Sequence, residues 1–184
     1  MLYAWELAEG KGYEHVPFMH GPFQFFGSAA MFKIFGDSDF TARLLYAVAG
    51  SALVGLPYFL RGFIGRTGAI IAAVLLAFSP SLLYFSRFAR NDIYIAVFTL
   101  GIIICLWRYV DERKPLFLYA AAGLLGLSFA TKENTYINVA ILLVFLNLWL
   151  AADLARQSRR VLGLGRFSTA ATYLFLFLPY AWLF

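Results

Sequence analysis

A chain of 184 residues with a mean hydropathy of +0.75, 62% hydrophobic and only 14% charged residues lies outside the range of soluble globular domains, which carry about 45–50% apolar and about 25% charged residues. Its net charge of +5, in so apolar a chain, points to basic loops on one side of a membrane rather than to nucleic acid. The single cysteine, Cys105, excludes an internal disulfide, and with no GxGxxG, Walker, GxSxG or HExxH pattern a soluble nucleotide enzyme has no support.

The N-terminus, "MLYAWELAEGKGYEHVP", lacks the basic flank and apolar core of a signal peptide. The C-terminus stops within the hydrophobic "YLFLFLPYAWLF". The expectation is a fragment: residues 1–184 as part of one transmembrane domain, with 1–40 an extracytoplasmic loop and 41–184 membrane helices. In "GYEHVPFMHGPF", His15 and His20 lie five apart with no cysteine near them, which does not fit a structural zinc site; no metal is expected. His20 is a candidate hydrogen-bond donor lining an outer cleft, against the alternative of an interfacial loop rich in turn residues. Residues 21–36, "GPFQFFGSAAMFKIFG", are too short to span and contain Gln24 and Lys33; they read as a helix lying in the interface. Next, "FGDSDFTAR" offers Asp37 as a helix cap or Asp39 as a first-turn acid.

Spanning a bilayer takes about 20 apolar residues, which places spans near 41–60, 67–86, 92–110, 116–131 and 134–152, with another from about 167. Pro57 and Pro80 fall inside two of them, where kinks are tolerated. The fold class is therefore an all-α, polytopic transmembrane helix bundle. Alternation of the loops puts Arg61, Arg66, Arg108, Arg113, Lys114, Arg156, Arg159, Arg160 and Arg166 on one side, nine cations against three acids. The other side holds six cations and seven acids. The positive-inside rule makes the first side cytoplasmic and the protein a multi-pass component of the cell membrane.

That assignment sends three polar sites to the extracytoplasmic rim. The first is "FSRFARNDIYIAVF" (85–98), where Arg87 and Arg90 are three apart and on a helix would share a face suited to a phosphate. Asp92 would orient an arginine or contact the substrate. The competing reading is a solvated turn with an Arg–Asp pair. The second is "FATKENTYI", where Lys132 and Glu133 interrupt an apolar hairpin; Lys132 is a candidate phosphate ligand and Glu133 a candidate head-group contact, against a plain exposed turn. The third is the segment carrying His20.

Together, "AWELAEGKGYEHVPFMHGPF", "FGDSDFTARLLYAVAG", "RTGAIIAAVLLAFSPSLLYFSRFARNDIY" and "FATKEN" resemble the membrane glycosyltransferases of the GT-C fold. The nearest group is the one that uses polyprenyl-phosphate sugars, family 39, with the protein O-mannosyltransferases and the aminoarabinose transferase acting on lipid A. Within it the chain looks most like a prokaryotic family known as flippase-activity-associated proteins. The resemblance implies a polyprenyl-phosphate-linked sugar donor and a glycan, lipid or protein acceptor. It also implies transfer by single displacement with inversion, and no cofactor or nucleic acid. It places His20 near the lipid phosphate, Asp92 at the acidic position that opens a later span and is the candidate catalytic residue, and Lys132 at the lysine of a Thr-Lys motif. In such enzymes an Asp followed by Glu or Asp opens the first outer loop and supplies the base. That acid would precede Met1, so the fragment is expected to be inactive alone. A non-enzymatic lipid flippase would use the same cations to hold a phosphate; a small-solute transporter would instead place charges near the bilayer midplane.

Overall fold

The computed structural model describes residues 2–12, 21–88 and 90–162, with side chains as far as Asp153. Among these residues all regular structure is helical: α1 (Leu2–Ala8), α2 (Phe23–Phe35), α3 (Asp39–Gly55), a 3-10 segment (Leu56–Leu60), α4 (Arg61–Phe78), α5 (Pro80–Arg87), α6 (Asp92–Glu112), α7 (Pro115–Phe129) and α8 (Thr135–Leu162). The chain forms two compact units, Met1–Thr135 and Tyr136–Phe184.

Within the first unit, α2 and α3 form a hairpin. Gly36, at φ +81, ends α2 and donates its N–H to Phe32 O. Ser38 caps α3, its hydroxyl accepting the Thr41 N–H at 3.1 Å, with Asp39 in the first turn. The cap is thus Ser38, not Asp37, while Asp39 takes the alternative role expected of it. The span expected at 41–60 becomes α3 followed by the 3-10 segment. Pro57 sits near the start of that segment, where the α-helical turns of α3 give way to 3-10 turns.

The span expected at 67–86 is divided. Ser79 is extended, at φ −64 and ψ 118, and Pro80 opens the separate helix α5. An extended residue before proline relieves the clash with the proline ring, and proline at the first position of a helix gives up no intrahelical bond. Gly65, at φ +75, interrupts α4 near its start. The α3-to-α4 stretch (Asp39–Phe78), α6 and Thr135–Asp153 are long and apolar enough to cross a membrane; α7 is apolar but shorter. The protein is an all-α membrane protein. Its exposed Ile70, Ile71, Val74, Leu75 and Phe78 are costly in water but suit hydrocarbon.

The core of this unit is small and aromatic. Tyr46 and Leu53 of α3 pack on Ile93, Tyr94 and Phe98 of α6. Phe23 joins from α2, edge-on to both Tyr94 and Phe98 at 5.2 and 5.4 Å. Edge-to-face pairs of this kind add about 0.5–1.5 kcal/mol to the burial they bring. Residues 136–162 of the second unit continue α8, and Asn147 donates its side-chain N–H to Leu143 O one turn back.

Candidate functional site

The site forms at the open end of the α6–α7 hairpin. α6 ends in Arg113, whose left-handed backbone (φ 56) reverses the chain, and Pro115 starts α7 with the fixed φ of a first helical residue. Gly101 lets the two helices approach closely: a Cβ there would lie 2.9 Å from Leu124 Cδ1. The same register, continued to the open end, brings the first residue of α6, Asp92, opposite Lys132 in the turn that follows α7.

Lys132 Nζ donates to Asp92 Oδ1 at 2.6 Å, and Arg90 Nε lies 3.3 Å from Asp92 Oδ2. Each carboxylate oxygen thus has its own cation. The Lys132 side chain is 12% exposed, that of Asp92 28% and that of Arg90 51%. Lysine is the dry partner and arginine the wet one. Arg90 also lies over the Phe85 ring, 5.8 Å from its centroid, within the range of a cation–π contact. Asp92 occupies the first turn of α6, where a negative charge complements the helix dipole.

The turn holding Lys132 is tightly built. Helices end with carbonyls that lack an intrahelical partner. Here the Ser128 carbonyl accepts the Thr131 N–H at 3.1 Å, the Lys132 N–H at 3.2 Å and the Thr135 hydroxyl at 2.8 Å. The Thr135 hydroxyl shares its proton with Lys132 O, also at 2.8 Å. Thr131 is fully buried and donates its own hydroxyl to Leu127 O at 2.7 Å. From the other side the N-terminal part of the chain docks on the same turn: Phe23 N–H donates to Ala130 O at 3.0 Å. A Cβ at Gly21 would run into that carbonyl.

Of the residues singled out in the sequence, Asp92, Arg90 and Lys132 therefore come together. Glu133 is exposed in the same turn. His20 lies outside the described residues, although the Gly21 that follows it is packed against Ala130. The pairing expected of Arg87 and Arg90 is not formed on a helix. α5 ends at Arg87 and Phe88 is extended (φ −99, ψ 137), so Arg90 lies beyond the helix and the i, i+3 spacing sets no common face. Sequence reasoning missed Asn91, Gly21, Thr131 and Thr135. Asn91 is 3% exposed with its Oδ1 buried and unpartnered among the described residues. For Thr131 the signal was the Thr-Lys motif that it opens; for Thr135 it was position alone, just after "KEN" where a helix starts. Among the described residues no three His, Cys, Asp or Glu side chains gather as a metal site.

Two cations flank the Asp92 carboxylate in a partly desolvated setting, with the Glu133 carboxylate exposed in the same turn. Such a site can take an anion, its strength depending on how far Asp92 yields its partners. The family model of the dolichyl-phosphate-mannose-protein mannosyltransferases matches residues 19–182. No curated protein and no solved structure matches the chain.

Proposed function

The chain belongs to the dolichyl-phosphate-mannose-protein mannosyltransferase family, membrane glycosyltransferases that draw on polyprenyl-phosphate sugars, and from that premise we propose that Lys132, Arg90 and Asp92 form the seat of the donor's phosphate at the extracytoplasmic face. The reaction is transfer of the sugar to an acceptor hydroxyl by single displacement with inversion. The acceptor is a glycan, lipid or protein. The motifs that carry the resemblance support a position among the prokaryotic flippase-activity-associated proteins.

The single observation that carries this reading is the doubly held carboxylate: Lys132 at 2.6 Å and Arg90 at 3.3 Å from the two oxygens of Asp92. The donor's phosphodiester carries one negative charge. Attack of the acceptor oxygen on the anomeric carbon breaks the bond to the phosphate oxygen, whose electron pair stays on the phosphate and adds a second charge. The acceptor proton goes to a carboxylate base. Cations fixed beside the leaving oxygen gain more from the dianion than from the monoanion, so they lower the transition state more than the ground state. Asp92 holds both cations in place before the donor arrives and gives up Lys132 Nζ to the phosphate as charge develops. His20 and Glu133 are proposed as contacts to the phosphate and the sugar, and Arg87 as a cation at the edge of the site.

The test is turnover of polyprenyl-phosphate sugars by the full-length protein in lipid nanodiscs. Lys132→Ala and Asp92→Asn are each expected to lower kcat/KM by about 100-fold or more, the scale of removing one charge-stabilising group. Unchanged turnover in both variants removes these residues from the mechanism.

A further inference from the structure

We propose that Thr135 is a positioning residue for Lys132, acting through the backbone of the α7–α8 turn. The inference rests on the reading that Lys132 meets the donor phosphate. A lysine stem has four rotatable bonds and places its charge reliably only when its backbone is fixed and its stem is packed. Lys132 satisfies both conditions, since its side chain is 12% exposed and its N–H and C=O are both engaged.

Thr135 makes the connection. Its hydroxyl contacts Lys132 O and Ser128 O, each at 2.8 Å, while its N–H donates to Lys132 O at 3.2 Å. The Ser128 carbonyl in turn accepts the Lys132 N–H. The hydroxyl therefore bridges the acceptor of the Lys132 N–H and the Lys132 carbonyl itself, clamping the peptide units on both sides of the Lys132 Cα. Thr135 is 2% exposed, so no water replaces a lost donor without entering the packed turn; Ser128 O and Lys132 O would keep only their longer bonds to backbone N–H groups, at 3.1–3.2 Å, and the turn would be held less tightly. A rotation of the Lys132 backbone at its Cα is amplified along the stem. Misplacement of a catalytic group by about 1 Å costs about 100-fold in favourable cases.

The experiment measures binding of sugar-free polyprenyl monophosphate to the full-length protein in phosphatidylcholine nanodiscs. The variants are Thr135→Val, Thr135→Ser, Lys132→Ala and the Thr135→Val/Lys132→Ala double variant. Thr135→Val keeps the shape and loses the hydroxyl, and it is expected to weaken binding roughly tenfold. Thr135→Ser keeps the hydroxyl and is expected to bind as the wild type does. In the Lys132→Ala background, Thr135→Val is expected to add nothing, because its effect runs through Lys132. If Lys132→Ala weakens binding while Thr135→Val does not, or if the two losses add, the positioning role is wrong and the phosphate reading stands. If Lys132→Ala binds as the wild type does, the phosphate reading itself fails, and this inference with it. Should Thr135→Val not fold, Thr135→Ser still decides: a tenfold loss there overturns the proposal.

Discussion

Lys132 gives up most of its hydration to meet Asp92, and the pair is worth keeping only while both partners are present. Removing one charge of a buried pair leaves the other unpaired, at a cost of about 3–5 kcal/mol when burial is complete. With Asp92 28% and Arg90 51% exposed, water screens the charges left behind and a smaller loss follows, about 1–3 kcal/mol. Asp92→Asn is thus expected to lower the thermal midpoint in detergent, and Asp92→Asn/Lys132→Gln to recover part of the loss. A double variant less stable than Asp92→Asn would show that the lysine finds another anion. Asp92 and Lys132 were each visible in the sequence as charges that an apolar chain had no reason to keep. Their pairing across forty residues was not visible, because it depends on the lengths and register of two helices. Nor was the Thr135 clamp, since a threonine at a helix start reads the same whether or not its hydroxyl spans a lysine.

At the scale of elements, close approaches between helices set the register that joins the charges. Gly101 and Gly21 both meet neighbours that a Cβ would touch, but the neighbours differ. At Gly101 the obstacle is Leu124 Cδ1, the tip of a flexible side chain; at Gly21 it is the Ala130 carbonyl, part of the backbone. Gly101→Ala is expected to change stability by less than about 1 kcal/mol, the side-chain shift being offset by better helix propensity. Gly21→Ala has to displace the turn that carries Lys132, and is expected to impair polyprenyl phosphate binding while leaving the helical circular dichroism unchanged. Equal effects of the two alanines would deny the distinction. The helices themselves were largely legible as long apolar runs. The break at Ser79–Pro80 was not drawn, because hydropathy is blind to backbone geometry. The proline was the available signal, and Ser79 turned extended where a kink within one helix was expected.

At the scale of the molecule, loop charge predicts a basic rim and a mixed rim. The hairpin geometry agrees with that division in one respect: Arg108, Glu112 and Lys114 cluster at the closed end of α6–α7, with Arg108 Nη1 2.9 Å and Lys114 Nζ 2.7 Å from Glu112, while Asp92 and Lys132 hold the open end. The proposed orientation puts the open end outside. With Cys105→Ala as background, Glu133→Cys in intact cells is expected to react with a membrane-impermeant maleimide, and Lys114→Cys only after permeabilisation. The reverse pattern would invert the topology. Sidedness is the expectation that rests on counts of charge and not on contacts. Bringing three charges to one point required the fold.

Contact between the Lys132 ammonium and the phosphate of the carrier lipid is the feature on which the proposed chemistry depends. Solid-state NMR of full-length protein with 15N-labelled lysine side chains, reconstituted with polyprenyl monophosphate, reads that contact as a 15N–31P dipolar coupling. A coupling within hydrogen-bonding reach that disappears in Lys132→Ala is expected. A lysine–phosphate coupling that survives in Lys132→Ala, or none in the wild type at saturating lipid, would contradict it.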